Sequence, residues 1–534
     1  MTGPDPATVR AWIDGDPDPE TRAELAGLAV ADLAERFAAP LAFGTAGLRG
    51  PVRGGPAGMN VATVTRATWA VGRWLTDRCL GGSVVVVGRD ARHGSAEFFA
   101  AATEVLAAQG FSVVALPEPG PTPWVAFATR ALRAAAGIQI TASHNPPADN
   151  GYKVYVDGGA QLTTPADREI EALIAAAPPA VSIPRVPVTP DARALAVPPR
   201  YLDRVGALAD DGPRGLRIAL TPMHGVGGAV AVQALRRSGF DDVHVVAEQF
   251  APDAGFPTVS FPNPEEPGAT DLLLALAESV DADLAIALDP DADRCALGAR
   301  GPDGWRMLTG DETGALLGDR VLTLRAAAGA PGDPLVATTI VSSTLLGSIA
   351  AGHGARCVRT LTGFKNLVRA GDGLVFAYEE ALGLCVDPDT VRDKDGISAA
   401  VVAAGYAAAL KAQGRTLLDA LDALYARHGV HVTGQYALRV TDTAEITALM
   451  ARLRADPPPS AAGVVLACED LLHARPATDA LVFTGAGTRI TVRPSGTEPK
   501  AKFYLEVIER GELEPSKRAA RARLAALTNA VHDW

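Results

Sequence analysis

The sequence predicts an α/β protein of several domains: three successive α/β segments of mixed sheet and helices, then a smaller α+β segment at the C-terminus. Three observations carry this expectation. At 534 residues the chain is too long for one hydrophobic core, and length alone suggests three or four domains. Strand-like runs rich in Val, Ile and Leu alternate with Ala/Leu-rich helical stretches over most of the chain. The C-terminal part abandons that alternation for longer β-like runs flanked by helices.

Taken in order, a helical N-terminal arm leads into SVVVVGRD (83–90), a helix from about Ala96, and FSVVALP (111–117), which together read as a β-α-β unit. AAGIQITASHNP (135–146) adds a strand and a loop, and the proline-rich stretch 175–190 reads as a linker or irregular excursion. The second segment holds LRIALTPMHGVGGA, a strand and Gly-rich turn entering a helix, and DLAIALDPDADR, a strand ending in a loop. The third runs from PLVATTIVSST through LVFAYEEALG to an apolar helix after Ile397. GVHVTGQYALRV, a helix, and TRITVRPSGTEPKAKFYLEVI predict a small antiparallel sheet with helices on one side. The expected domains are therefore 1–200, 201–315, 316–430 and 431–534.

Composition narrows the function. Apolar residues make up 48%, enough for sizeable cores, and the net charge of −12 with pI near 5.3 argues against a nucleic-acid or membrane-surface binder. A phosphorylated substrate would need local cationic pockets against that acidic background. The N-terminus lacks the basic and apolar runs of a signal peptide, and the longest apolar run, Ile397 to Leu410, is too short to span a bilayer. Five cysteines without CxxC pairing suggest reduced thiols and a cytoplasmic protein. Lysines number seven against 42 arginines, and five of them (Lys153, Lys365, Lys394, Lys500, Lys502) lie in or beside the motifs below.

Ser143 sits in ITASHNPPADNGYKVY, where a strand enters a loop closed by Pro146 and Pro147; such a turn would present the serine outward, although a plain Asx/Ser turn fits the same residues. Asp289, Asp291 and Asp293 end an apolar strand in DPDADR. Their i, i+2, i+4 spacing can turn three carboxylates to one side of an extended segment, where a hard cation such as Mg²⁺ would neutralise them; a solvated acidic turn is the alternative. Arg493-Pro-Ser495-Gly496-Thr497-Glu-Pro-Lys500 combines a guanidinium, two hydroxyls and a glycine, a fitting cradle for a phosphate dianion or else a β-turn. Phe43-Gly-Thr-Ala-Gly47-Leu-Arg49 is a weaker loop of the same kind. No GxxxxGK[ST] is present, and Gly225-Val-Gly227-Gly228 reads as strand-to-helix packing rather than a dinucleotide loop.

Together, and in this order, FGTAGLRG, TASHNP, DPDADR, TGFK, YEEALG, DKDG and RPSGTEPK resemble the phosphohexomutase superfamily, in its phosphoglucomutase/phosphomannomutase branch, over nearly the whole chain. FGTAGLRG, NGYKVY, FPNPEEPG, LTGFK and YEEALG look most like the subgroup holding phosphopentomutases and glucose-1,6-bisphosphate synthases. The resemblance implies four domains around a central cleft and a phospho-sugar mutase that interconverts sugar 1- and 6-phosphates (glucose, mannose or both). It implies that Ser143 carries the phosphoryl group, with one Mg²⁺ per subunit held by Asp289, Asp291, Asp293 and a phosphoserine oxygen, and a sugar 1,6-bisphosphate as activator. Arg49 and Arg294 would stabilise the transferring group, with His144, Lys153 and Lys394 as candidates for proton transfer and charge neutralisation. Gly363, Phe364, Lys365, Glu379 and Glu380 would recognise the sugar, and Arg493, Ser495, Gly496 and Thr497 would hold the distal phosphate. Where many hexose-specific members have Glu-x-Ser, this chain has Glu379-Glu380-Ala381, so the sugar is left open. The alternatives are a phosphopentomutase (ribose 1-/5-phosphate), a sugar-1,6-bisphosphate synthase and, in another class, a metal-dependent phosphomonoesterase. Nothing in the sequence implies nucleic acid, membrane or an obligate protein partner.

Overall fold

The computed structural model describes residues 4–44, 47–156, 158–440, 442–494 and 500–534, so the expected phosphate-cradle residues Ser495, Gly496 and Thr497 lie outside the described residues. The chain forms two compact units, residues 1–307 with 383–412, and residues 308–382 with 413–534.

The first unit begins with the expected helical arm (Pro6–Gly15, Pro19–Gly27, Val30–Arg36), each of the first two helices started by an aspartate cap and an N-terminal proline. Its first sheet holds β1 (Leu48–Pro51), β2 (Val84–Arg89), β3 (Ser112–Ala115), β4 (Ala136–Ile140), β5 (Asp149–Val156) and β6 (Ala160–Gln161) in the order β1-β5-β4-β2-β3, with β6 beside β5. β2 pairs parallel with β3 and β4, whereas β5 runs antiparallel to both β4 and β1. The valine run is buried from Val85 to Val87 because helices cover both faces, among them Val61–Thr76 and Ser95–Ala108 on one side and Thr122–Ala131 on the other. A second mixed sheet has β7 (Ile218–Thr221), β8 (Val243–Val245), β9 (Leu284–Leu288), β10 (Cys295–Gly301) and β11 (Gly304–Met307) in the order β11-β10-β9-β7-β8. The loops bearing Ser143 and the three aspartates leave the carboxyl ends of β4 and β9, the edge where α/β sheets gather their ligands.

In the second unit β12 (Leu335–Thr339), β13 (Arg356–Thr360) and β14 (Leu374–Glu379) lie parallel in the order β13-β12-β14. The chain then returns to the first unit with β15 (Gly383–Cys385) and the apolar helix Gly396–Lys411, which Asp395 caps through the Ile397 and Ser398 amides. The remaining strands are β16 (Val430–Arg439), the short ribbon β17 (Ser460–Ala461) and β18 (Val464–Val465), β19 (Ala467–Asp470), β20 (Leu481–Gly485), β21 (Thr488–Pro494) and β22 (Lys500–Glu509). Of these, β16-β22-β21-β20-β19 form the expected antiparallel sheet. Phe503, Leu505 and Val507 bury one face of it, and the helix Leu513–His532 packs there, Trp534 meeting Phe483 and Phe503.

The expected domain boundaries fall inside elements. Position 200 lies within the helix Ala192–Gly206, position 315 within Gly310–Ala327, and position 430 opens β16. The proline-rich stretch 175–190 is irregular, as expected: beyond the helix Ala166–Ala176 it holds only the 3-10 turn Ala180–Ser182. The helix Ala192–Gly206 that follows carries Pro198 and Pro199 inside it, and its amphipathic face buries Val197, Tyr201 and Leu202.

Candidate active site

Ser143 is held from behind. Its backbone lies in the left-handed region (φ +55°), and its amide donates to Thr141 Oγ1 at 2.9 Å. The buried Arg92 guanidinium donates to four carbonyls of the same loop: Ser143 (2.7 Å), Asn145 (2.6 Å), Pro146 (2.8 Å) and Asp149 (3.1 Å). Asp90 seats this arginine by accepting from the Arg92 amide (3.0 Å) and Ser95 Oγ (2.6 Å), and Phe256 stacks on the guanidinium. GRDARHG had carried no functional expectation. Its signal is an arginine and an aspartate directly after a buried strand, where neither charge can reach bulk water without a partner.

The outward presentation expected for Ser143 does not hold. The residue is 1% exposed, and its Oγ donates to Asp289 Oδ2 at 2.7 Å. The aspartates also converge differently from the extended-segment expectation. Only Asp289 adjoins the strand, as the first residue after it; the chain then makes a tight turn, with the Ala292 amide donating to Asp289 O and Ala292 itself at φ +53°. All three carboxylates are buried, with one oxygen of each lying within 4.8 Å of the others. The GVGG loop carries β7 into the helix Gly228–Arg237, in line with the strand-to-helix reading, and in addition the aspartate turn nests on it. A Cβ at Gly225 would stand 2.3 Å from Pro290 Cα, and one at Gly227 2.5 Å from Ala292 Cβ.

The expected cations surround the turn. Lys153, on β5, donates to Asp291 Oδ2 (2.6 Å) and Asp293 Oδ2 (2.7 Å). Lys394 lies 3.2 Å from Asp293 Oδ2 and 3.3 Å from Asp393 Oδ1, and Asp393 is fixed by Tyr155 and Gln161. Arg294 Nε stands 3.8–3.9 Å from Asp293 and Asp289, while Arg49, on β1 beside β5, donates to Asn145 Oδ1 at 3.1 Å. Thr122 donates to Asp291 through its hydroxyl. Burial pushes Asp289 well above the usual carboxylate range, with Asp291 and Asp293 adding to it. Burial also acts to raise Asp291, but Lys153 overrides it and holds that carboxyl low. His144 is buried, and desolvation followed by Arg294 and Arg49 keeps its imidazole well below its ordinary pKa, so it is neutral at pH 7.

A metal ion fits this cluster. Asp291 Oδ1 and Asp293 Oδ1 are buried and have no hydrogen-bond partner among the described residues, because Lys153 and Thr122 engage the other oxygens. Buried anionic acceptors left over beside a serine hydroxyl form an all-oxygen set suited to a hard cation, and no histidine belongs to it.

In the second unit, the expected sugar residues follow the carboxyl ends of parallel strands. Gly363 (φ +101°), Phe364 and Lys365 come after β13, and Glu379 ends β14 with Glu380 in the turn that follows. Glu380 Oε2 accepts from Thr339 Oγ1 (3.0 Å) and Ser342 Oγ (2.8 Å). Arg493, near the end of β21, shares a sheet face with Tyr504; burial, followed by the nearby Glu380, raises the Tyr504 phenol above its ordinary range, and the Arg493 charge works against that rise. Tyr504 was not anticipated, yet it brings Arg493 and the two glutamates into one cluster.

A mixed-sheet α/β chain that buries a serine against three carboxylates ringed by lysine and arginine has the charge arrangement of an enzyme that handles phosphoryl groups. Residues 40–180, 199–301 and 309–428 match the alpha/beta/alpha domains I, II and III of phosphoglucomutase/phosphomannomutase, and residues 437–519 match its C-terminal domain. The chain belongs to the phosphoglucomutase/phosphomannomutase family. It is 41% identical to the "Probable phosphomannomutase" of Haemophilus influenzae, over 84% of this chain and 93% of that protein. It is 34% identical to the phosphopentomutase of Homo sapiens, covering 89% and 86% of the two chains. A solved phosphoglucomutase/phosphomannomutase family protein from Burkholderia thailandensis shares the fold at 21% identity, with a TM-score of 0.67 over 91% of this chain and 97% of that one.

Proposed function

We propose that this enzyme is a phospho-sugar mutase that interconverts the 1- and 6-phosphates of glucose, mannose or both through phosphorylated Ser143 and a bisphosphorylated sugar. The observation that carries the reading is the Ser143 Oγ–Asp289 contact of 2.7 Å, inside a ring of cations built around three carboxylates. Lys153, Arg294 and Lys394 lie against Asp289, Asp291, Asp293 and Asp393, and Arg92 against Asp90, with Arg49 beside them on Asn145. A phosphoryl dianion entering together with a divalent cation leaves the net charge of that ring unchanged, whereas either alone would shift it by about two.

Asp289, Asp291 and Asp293, with Ser143, would hold Mg²⁺, which when bound supplies Lewis-acid neutralisation of the phosphoryl oxygens. Arg49 and Arg294 stabilise the charge that spreads over the transferring group. The phosphorus–oxygen bond to Ser143 breaks as the bond to a sugar hydroxyl forms, and neutral His144 is our candidate to take the hydroxyl proton. The sugar bisphosphate then turns round and returns its other phosphate to Ser143. Arg493, with Ser495, Gly496 and Thr497, serves as cradle for whichever phosphate is not reacting, and a sugar 1,6-bisphosphate primes the serine. Among the described residues no helix is long and apolar enough to cross a membrane. The five free cysteines fit our reading of a cytoplasmic enzyme.

A pentose reading is favoured by one observation. The sugar loop has Ala381 where a hydroxyl could contact the ring, and Glu380 is already engaged by Thr339 and Ser342. A coupled assay with glucose 1-phosphate, mannose 1-phosphate and ribose 1-phosphate, each with its bisphosphate, separates the readings. Ser143→Ala should lose activity by several orders of magnitude, and the species one phosphate heavier in the intact mass should vanish with it. EDTA should abolish wild-type turnover and Mg²⁺ restore it. Wild-type rates in Ser143→Ala would refute the mechanism.

A further inference from the structure

Between β12 and the helix Leu345–Gly352 the chain turns through Ile340–Thr344, and the second unit grips this turn from two sides. From the α/β side, Arg359 donates to the carbonyls of Ile340 (2.7 Å) and Ser342 (3.2 Å), and Asp311 accepts from the Ser343 amide (2.7 Å). The same turn supplies the Ser342 hydroxyl that donates to Glu380. From the C-terminal sheet, Arg489 donates to those same two carbonyls, at 2.7 Å for Ile340. Glu506 Oε1 accepts from Ser343 Oγ (2.7 Å), the Thr344 amide (2.7 Å) and His431 Nδ1 (3.0 Å), while its Oε2 takes Arg489 Nε (3.0 Å). Burial alone would raise Glu506, but His431 and Arg489 hold it well below the usual carboxylate range.

The sheet register gives the turn its interest. Arg489 pairs across from Glu506, Thr491 from Tyr504 and Arg493 from Lys502, so all six side chains share one face. That face carries Arg493 at one end and the Arg489–Glu506 clamp four residues back, roughly 13 Å along the strand. A buried ion network of this kind is poor value for stability alone, since well-packed apolar residues serve as well; what it does supply is a defined geometry.

We propose that Arg489 and Ser342 are positioning residues for sugar selection: Arg489 fixes the Ile340–Ser342 turn, Ser342 orients Glu380, and the sugar loop is thereby registered to the sheet that bears Arg493. This rests on the mutase reading, in which Glu380 belongs to sugar recognition. The expected consequence is a change of preference between sugars rather than a uniform loss of rate.

The test compares kcat/KM for glucose 1-phosphate and ribose 1-phosphate in wild type, Ser342→Ala, Arg489→Lys and the double variant. The selectivity ratio should shift at least fivefold, in the same direction in both single variants, and the double variant should match the larger single effect. Ser342→Thr, which restores a hydroxyl, should return the ratio towards wild type. Inhibition by inorganic phosphate, which reads the phosphate-holding groups but no sugar contact, should stay within twofold in Ser342→Ala. If Arg489→Lys fails to fold, the Ser342 pair decides by itself. An unchanged ratio in folded Ser342→Ala overturns the proposal even if both rates fall. A wild-type enzyme that turns over neither sugar phosphate overturns the underlying mutase reading instead.

Discussion

Replacing Arg92 by lysine keeps the positive charge beside Asp90 but removes the fork that holds the serine loop. Arg92 spends two nitrogens on four carbonyls, Nη1 on Pro146 and Asp149 and Nη2 on Ser143 and Asn145. A single ammonium cannot reach both pairs, so at least two of these bonds are lost. At the lower end for hydrogen bonds to a charged group, that amounts to about 3 kcal/mol of stability. The same bonds support a non-glycine residue in the left-handed region, a conformation that itself costs about 1–2 kcal/mol, so the freed loop will relax away from it. Displacing a nucleophile by about an ångström costs on the order of a hundredfold in rate. The expected result is therefore kcat down about a hundredfold with KM within about threefold, because Arg92 spends its donors on the loop rather than on substrate. Steady-state kinetics and phosphate incorporation at Ser143, read by intact mass after incubation with a sugar bisphosphate, measure both quantities. A folded Arg92→Lys enzyme with kcat within twofold of wild type would refute the idea that this guanidinium positions the serine.

Gly225→Ala should lower stability by about 1–3 kcal/mol and weaken metal affinity, since the new Cβ meets the Pro290 backbone, which has no flexible end to yield; calorimetry and Mg²⁺ titration read the two effects. Asp395 carries a pH signature. Burial raises its carboxyl from 3.8 to about 6, so its contribution is full below about pH 4 and is lost as pH rises through 6. Asp395→Asn should therefore gain up to about 3 kcal/mol on wild type between pH 4 and pH 7.5, visible as a Tm difference that grows with pH. Arg493→Lys should raise KM at least tenfold for every sugar phosphate, because it keeps the charge but loses the bidentate geometry; unchanged kinetics would relocate the phosphate cradle.

Much of the molecule was legible in one dimension because its signals are local. The valine run of β2, the alternating strands and helices and the apolar helix after Ile397 all reflect burial of neighbouring residues, and they folded where the pattern placed them. The motifs were legible for the same reason: Ser143, the three aspartates, Lys153 and Lys394 sit in short runs of unusual composition, and the fold gathers them into one buried cluster. Even the polar face of the C-terminal sheet is written in period two, as Arg489, Thr491 and Arg493 on one strand and Lys502, Tyr504 and Glu506 on the next.

Tertiary structure decided how those groups are used, because that depends on partners far along the chain. Arg92 meets carbonyls more than fifty positions away, and nothing local says whether an arginine will bind substrate or backbone. The aspartates converge through a tight turn resting on Gly225, not through strand alternation, since the turn needs a glycine loop from another strand to nest on. Glu380 reads as a sugar ligand in sequence, but Thr339 and Ser342 take one of its oxygens, and through them the C-terminal sheet acquires a hold on the sugar loop. Residue type and periodicity determined which side chains could be buried with charge. Only the packing of distant loops determined which charge each of them would face.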